Sequence, residues 1–569
     1  MLNRYPIDPN HVLEEYPRPQ MVRASYQCLN GVWDCAISDD PSIPSWYPAS
    51  IVVPFSVETT LSGVEQKLAP HQTLTYHRTF SHVLSNPQNR VLLHFDAVDH
   101  RCVIFLNHQK VGEHIGGYLP FQFDVTTVIE NENDLIVQVQ DPCDTQPIIR
   151  GKQSEKNHGI FYSGQSGIHQ TVWLEEVPDI YIKHLVIESK PEQKCWQVRV
   201  LANQEHVPVT IQYLDGTHSV HGYSEELLSC QVPEVHLWSP EDPHLYPFTV
   251  CLGEDCVESY VGLRTFSVEQ GRLCLNGKPY FHHGILDQGY WPFSLYTPPT
   301  DQAMIDDLLL VKKLGFNMVR KHGKIENLRW YHHCDQLGLL VWQDMPSGGR
   351  KPIQPVMSGP LFLPSFSIRD HHYALLGSQD ASYRKEFEDT LVGMVDMLRN
   401  CTCIAMWVIF NEGWGQFDSA RMLKLMESLD PSRTCDPASG WYDQGIGKVA
   451  SRHVYFKAYR HTHDPLDRAI VLSEFGGYVY RCNGHDEQKK VFGYATYPDR
   501  QSFNEAFFHL YQQQILPARK QGLSASVYTQ LTDVQQELNG LVSYDRLSVK
   551  LDEIVALQVA ALLLGSEEL

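Results

Sequence analysis

From Asp301 onward, stretches with apolar residues at helical spacing alternate with short continuous apolar runs, and this alternation restricts the fold more than any single motif. Asp301 to Leu314 carries Met304, Leu308 and Val311 on one face, Gly315 stops it, and Phe316-Asn317-Met318-Val319-Arg320 follows as a strand. The same pairing recurs as Glu326 to Leu337 then Leu339 to Gln343, Tyr383 to Asn400 then Ile404 to Phe410, and Ala420 to Leu429 then Thr434 to Ala438. Helix and strand in regular alternation over about 300 residues predict a parallel sheet closed into a TIM (β/α)8 barrel spanning 267–569. Eight candidate strands end near Asp287, Arg320, Asp344, Glu412, Ser439, Tyr455, Glu474 and Gln530. In such barrels the C-terminal ends of the strands carry the catalytic groups.

Two of these ends hold a glutamate. Ile404-Ala405-Met406-Trp407-Val408-Ile409-Phe410 reads as a strand buried on both faces and stops at Asn411-Glu412. Ala469-Ile470-Val471-Leu472-Ser473 does the same and stops at Glu474. Carboxylates on strands four and seven would converge over the barrel mouth. Two inward carboxyl groups without a metal are what glycoside hydrolysis needs, one to protonate the leaving oxygen and one to attack or to activate water. Aromatic residues near strand ends, Trp291, Trp342, Trp414, Trp441, Tyr442, Tyr455 and Tyr528, fit the apolar C–H faces of a sugar ring.

Upstream, residues 1–177 alternate short apolar runs such as Arg90 to Asp96 and Asp134 to Val139 with turn residues, the pattern of an all-β sandwich. Residues 178–266 repeat that pattern at the length of one immunoglobulin-like sandwich. The net charge of −21, from 46 basic and 67 acidic residues, argues against nucleic acid or an anionic membrane as partner. No run of 18 or more apolar residues could cross a bilayer, and Met1 to Pro9 lacks a signal-like apolar core, so a cytoplasmic protein is expected. The 14 cysteines show no repeated spacing and are expected to be mostly reduced, buried thiols. The doublets His282-His283, His332-His333 and His371-His372 lack metal-ligand spacing; no metal and no cofactor is expected.

Taken in order along the chain, Leu29-Asn30-Gly31-Val32-Trp33-Asp34, Val52-Val53-Pro54-Phe55-Ser56, Gly167 to Leu174, Gly262-Leu263-Arg264-Thr265-Phe266, Leu275-Asn276-Gly277-Lys278-Pro279, Gly315 to Arg320, Phe410 to Trp414 and Ser473-Glu474-Phe475-Gly476 resemble glycoside hydrolase family 2. That family includes bacterial β-galactosidases, β-glucuronidases and β-mannosidases. The resemblance implies an N-terminal jelly-roll-like sugar-binding β-sandwich, an immunoglobulin-like β-sandwich and a TIM barrel, with retaining double displacement. It assigns Glu412 as acid/base, Glu474 as nucleophile, and Asn411 to the substrate 2-hydroxyl. Arg320 is a candidate to hold the nucleophile ionised. Asp287, His322, Asp344, Trp441, His453, Tyr455 and Tyr528 are candidates for sugar contacts, because each lies at or near a strand end.

Departures from the family pattern narrow the substrate. Where glucuronidases of the family carry Asn-x-Lys for the substrate carboxylate, this chain has Asn539-Gly540-Leu541, leaving Lys448 or Lys457 as the remaining charges considered. Gln343-Asp344-Met345-Pro346 offers only Asp344 where the large β-galactosidases bind magnesium. The expectation is therefore an exo-acting retaining β-glycosidase for a terminal neutral sugar, β-galactoside foremost. The rivals are β-glucuronidase or β-galacturonidase, β-mannosidase, α-L-arabinopyranosidase and, outside the enzymes, a carbohydrate-binding protein. A small-molecule carbohydrate is the expected partner, with a homo-oligomer left open. The proline-rich insertion 345–384 is read as a wall or lid of the pocket.

Overall fold

The computed structural model describes residues 4–565 except 352–355, 357–358, 361–366, 483 and 486–490. Its first sandwich faces a six-stranded antiparallel sheet, with Gly31–Ser38, Thr73–Ser81 and Glu132–Gln140 at its centre, against a four-stranded sheet built on Arg90–Phe95 and Val172–Val177. Alternating inward residues such as Leu74, Tyr76, Val91, Leu93, Val137 and Val139 fill the space between them. The second sandwich packs three strands on four around Trp196, an immunoglobulin-like arrangement. Cys251 and Cys256, paired across its edge hairpin, form a disulfide. The other 12 cysteines are free, in keeping with the expectation of mostly reduced thiols.

The rest of the chain is the expected barrel. Its strands are β1 (His282–Asp287), β2 (Met318–Lys321), β3 (Leu340–Asp344), β4 (Ile404–Val408), β5 (Thr434–Asp436), β6 (Val449–Val454), β7 (Ala469–Gly476) and β8 (Ala525–Thr529). All ladders are parallel, in the ring order five, four, three, two, one, eight, seven, six. β5 and β6 share no ladder, and the Ser451 hydroxyl bridges them by donating to Asp436.

Helix boundaries follow local chemistry. Asp301–Lys313 begins where the Thr300 side chain accepts from Ala303 N, and Leu328–Leu337 begins where Asn327 accepts from Trp330 N and ends at Gly338 with φ 70. Ala381–Leu398 and Ser419–Leu429 complete the expected pairs. Every residue of β3, β4, β7 and β8 is buried, which is why those runs read as unbroken apolar stretches in the sequence.

Candidate active site

Glu412 lies four residues beyond the last ladder residue of β4. The chain is led there by Ile409 N donating to Asp436 O, an Asn411–Ser439 bridge, and Glu412 N donating to Ser439 O at 3.0 Å. Glu412 adopts φ 53 and Gly413 φ 74, left-handed conformations that turn the carboxylate over the barrel mouth. Glu474 lies inside β7, where the ladders to β6 and β8 both slip, between Arg452 and His453 and between Leu472 and Phe475. Such irregularities re-aim side chains, and here Glu474 turns into the pocket.

The two glutamates meet at His453. Its Nδ1 is 2.9 Å from Glu412 Oε1 and its Nε2 3.6 Å from Glu474 Oε1. One carboxylate oxygen from each glutamate and a His453 nitrogen lie within 4.8 Å of one another. Among the described residues this is the one cluster close enough to share a cation. The Arg320 guanidinium, 3.1 Å from Glu474, opposes cation binding there.

Glu474 is 6% exposed and surrounded by donors. Tyr455 OH donates to its Oε2 at 2.7 Å and Arg320 Nη1 to its Oε1 at 3.1 Å. Burial alone would raise its carboxyl, but the charges of His453, Arg320, His322 and Lys152 outweigh burial and hold it down at about 2. A carboxylate held ionised in a buried site is poised to act as a nucleophile.

Arg320, wholly buried, spends all five N–H groups on the protein. Nε and Nη2 grip Asp344 at 3.0 and 2.9 Å, Nη1 donates to Ser473 O and Glu474, and Nη2 reaches Asn411 Oδ1 at 2.8 Å. Arg320 thereby ties Asp344, Glu474 and Asn411 together. Asn411, its oxygen fixed by Arg320, keeps its Nδ2 without a partner among the described residues. Asp344 Oδ2 also takes His322 Nδ1 at 2.6 Å, leaving His322 Nε2 toward the pocket. Burial and then Lys152 lower the His322 imidazole.

The remaining candidates divide. Trp441 is at the site, its ring edge-on to His453 at 5.3 Å and its Nε1 without a partner among the described residues. Asp287 and Tyr528 are not. On β1 and β2, Leu286 pairs with Arg320 and Asp287 with Lys321, so the period of two that turns Arg320 inward turns Asp287 outward. There it pairs with Lys321 at 2.5 Å, and Lys321 lies over Trp330 of the surrounding helix layer. On β8 Thr529 bonds Tyr455, so Tyr528 faces away, among Phe475, Phe507 and Tyr478. Lys448 precedes β6 and so lies at the far end of the barrel, and Lys457 is exposed. The described part of the 345–384 insertion packs Val356, Ile368 and Leu376 on Trp441 and Tyr442. The expected lid falls in part on 352–355, 357–358 and 361–366, outside the described residues.

Sequence reading missed a strap from the first sandwich, residues 150–163, that crosses onto the barrel mouth. Arg150 Nη1 donates to Gly349 O, Gly151 N to Ser347 O, Asn157 Nδ2 to Gln535 Oε1, and Tyr162 OH to Glu537. Phe161 stacks on Trp414 with ring centroids 5.0 Å apart. Tyr494, also unforeseen, stacks on Tyr455 at 3.7 Å. Nothing in the local sequence joins these residues to strands hundreds of positions away.

Three family models match in chain order: glycosyl hydrolases family 2, sugar binding domain, over 63–178; glycosyl hydrolases family 2 over 180–264; and glycosyl hydrolases family 2, TIM barrel domain, over 266–539. The chain belongs to glycoside hydrolase family 2. A putative β-glucuronidase of Formosa agariphila is 29% identical over 287 residues, covering 46% of this chain and 34% of that protein. A β-galactosidase of Thermoanaerobacter pseudethanolicus is 24% identical over 439 residues, covering 71% and 54%. The chain thus spans about a third to a half of the length of these curated relatives. Among solved structures, β-D-glucuronidase from Dictyoglomus thermophilum superposes with TM-score 0.73 at 17% identity, covering 97% of this chain and 99% of that one. A family 2 β-galacturonidase from Eisenbergiella tayi bound to galacturonate gives 0.72 at 18% identity, covering 97% and 100%. No helix among the described residues is long and apolar enough to cross a membrane.

Proposed function

We propose that this chain is an exo-acting, retaining β-glycosidase in which Glu474 is the nucleophile and Glu412 the acid/base. The observation that carries the reading is the spacing of the two glutamates, with an oxygen of each within 4.8 Å of the other. Retaining enzymes hold their carboxyl groups about 5–5.5 Å apart, whereas inverting ones leave about 6.5–9.5 Å for a water. Glu474 attacks the anomeric carbon while Glu412 gives its proton to the leaving oxygen. Glu412 then takes a proton from the water that cleaves the glycosyl ester. Asn411 Nδ2 is free to bond a sugar hydroxyl, and the strap narrows the mouth to a pocket for a terminal residue.

The glycone has two supported readings. A neutral β-galactoside agrees with Asn539-Gly540-Leu541, which has no lysine, and with the β-galactosidases among the relatives. A hexuronide is favoured by one different observation, Lys152 on the strap beside the end of β2, whose charge acts on Glu474 and His322. Hydrolysis of a panel of 4-nitrophenyl glycosides by wild type, Glu474→Gln and Glu412→Gln tests the mechanism. Glu474→Gln is expected to lose activity on every substrate. Glu412→Gln is expected to keep slow turnover of dinitrophenyl glycosides, whose leaving group needs no proton, and to be rescued by azide with formation of a β-glycosyl azide. An α-glycosyl azide would overturn double displacement.

A further inference from the structure

Lys152 is 9% exposed, and its Nζ makes no hydrogen bond and no ion pair among the described residues; the ammonium lies over the Tyr162 ring, 5.6 Å from its centroid. It is fixed in place by the strap: Tyr162 N donates to Lys152 O at 3.0 Å, and Gly151 N donates to Ser347 O at 2.9 Å. A Cβ on Gly151 would stand 2.4 Å from Gly323 O, so only glycine lets the strap lie this close to the end of β2, beside His322. The ammonium's field reaches both the nucleophile Glu474 and His322.

An ammonium whose donors the protein leaves uncommitted keeps them for a ligand. Of the arginine and lysine acting on Glu474, Arg320 has every N–H committed, whereas Lys152 has three donors uncommitted. We propose that Lys152, supplied by the first sandwich, is the specificity-determining residue of the pocket and takes the carboxylate of a hexuronide. The proposal rests on the glycosidase reading above and names its substrate class. The cation enters from a domain outside the barrel, which makes the anion site independent of the Asn539-Gly540-Leu541 loop.

The test compares wild type, Lys152→Met and Lys152→Arg on 4-nitrophenyl β-D-galacturonide and β-D-glucuronide against the matching galactoside and glucoside. Wild type is expected to prefer one uronide over its neutral parent by about ten-fold or more in kcat/KM. Lys152→Met is expected to lose about a hundred-fold on that uronide, mostly in KM, and far less on the neutral sugar, with Lys152→Arg recovering part. Equal losses on acid and neutral glycosides would overturn the proposal, since Lys152 would then act only through Glu474. Thermal shifts with free D-galacturonate, D-glucuronate, D-galactose and D-glucose give a readout independent of turnover, and also show that Lys152→Met folds. Stabilisation by a uronate that Lys152→Met abolishes supports the anion site even if no glycoside is cleaved, in which case the glycosidase reading alone fails. Stabilisation by neutral sugars and not by acids overturns the site.

Discussion

Arg320 Nη2 donates to Asn411 Oδ1 at 2.8 Å and thereby decides which end of the Asn411 amide faces the pocket. The oxygen is taken by the guanidinium, so the NH2 group is what a substrate meets. Asn411→Asp keeps the Arg320 contact but replaces that donor with an acceptor. Removing a positioned donor to charge developing in the transition state costs about 10²–10³ in kcat. A loss of that size is expected on a normal glycoside and a much smaller one on its 2-deoxy analogue; equal losses on both would separate Asn411 from the 2-hydroxyl.

After His453, Arg320 also helps to hold Glu474 ionised. The carboxyl at about 2 in the folded chain lies below the unfolded value near 4.3, so its contribution to stability is full above the unfolded value and is lost as pH falls through the folded one. The difference in Tm between wild type and Glu474→Gln is expected to shrink as pH is lowered from 5 toward about 2. Arg320→Lys keeps a charge but not the five-donor fork, so Glu474 should titrate higher. The acid limb of kcat/KM is expected to move up by about one pH unit; an unmoved limb would remove Arg320 from the control of the nucleophile.

How far the sequence disclosed this site follows from which physical signal each residue leaves. A strand buried on both faces is an unbroken apolar run, so β4 and β7 and the glutamates that end them were legible, as were Arg320, His322 and Tyr455 at strand ends. The face a residue occupies at such an end was not. Asp287 and Tyr528 fail because fully buried strands show no alternation to tell pocket from outer wall, and both faces of β8 are apolar or small. The strap was illegible for another reason. Lys152 and Phe161 reach the barrel through tertiary contacts that leave no periodicity behind.

Gly413 is required by geometry beside Glu412. It sits at φ 74, and a Cβ there would lie 2.3 Å from the Tyr442 ring. Gly413→Ala must therefore both strain the backbone and push on the ring, a loss of about 1–3 kcal/mol. Because Glu412 immediately precedes it, kcat is expected to fall more than that stability loss explains at a temperature well below Tm. A variant with lowered Tm but wild-type kcat would show that the turn does not aim Glu412.

Phe161 on the strap stacks at 5.0 Å and 12° on Trp414, two residues beyond Glu412. Aromatic pairs of this kind contribute about 0.5–1.5 kcal/mol beyond their buried area. Phe161→Ala is expected to raise KM for nitrophenyl glycosides by roughly ten-fold, since 1.4 kcal/mol is a factor of ten, while kcat changes less. Trp414→Ala removes the other half of the stack. If the strap closes the pocket through this pair, the double variant loses less than the sum of the single losses in a double-mutant cycle on kcat/KM. Additive losses would mean that the two rings act separately, and the strap would then be held over the mouth by its polar anchors at Ser347, Gly349, Gln535 and Glu537.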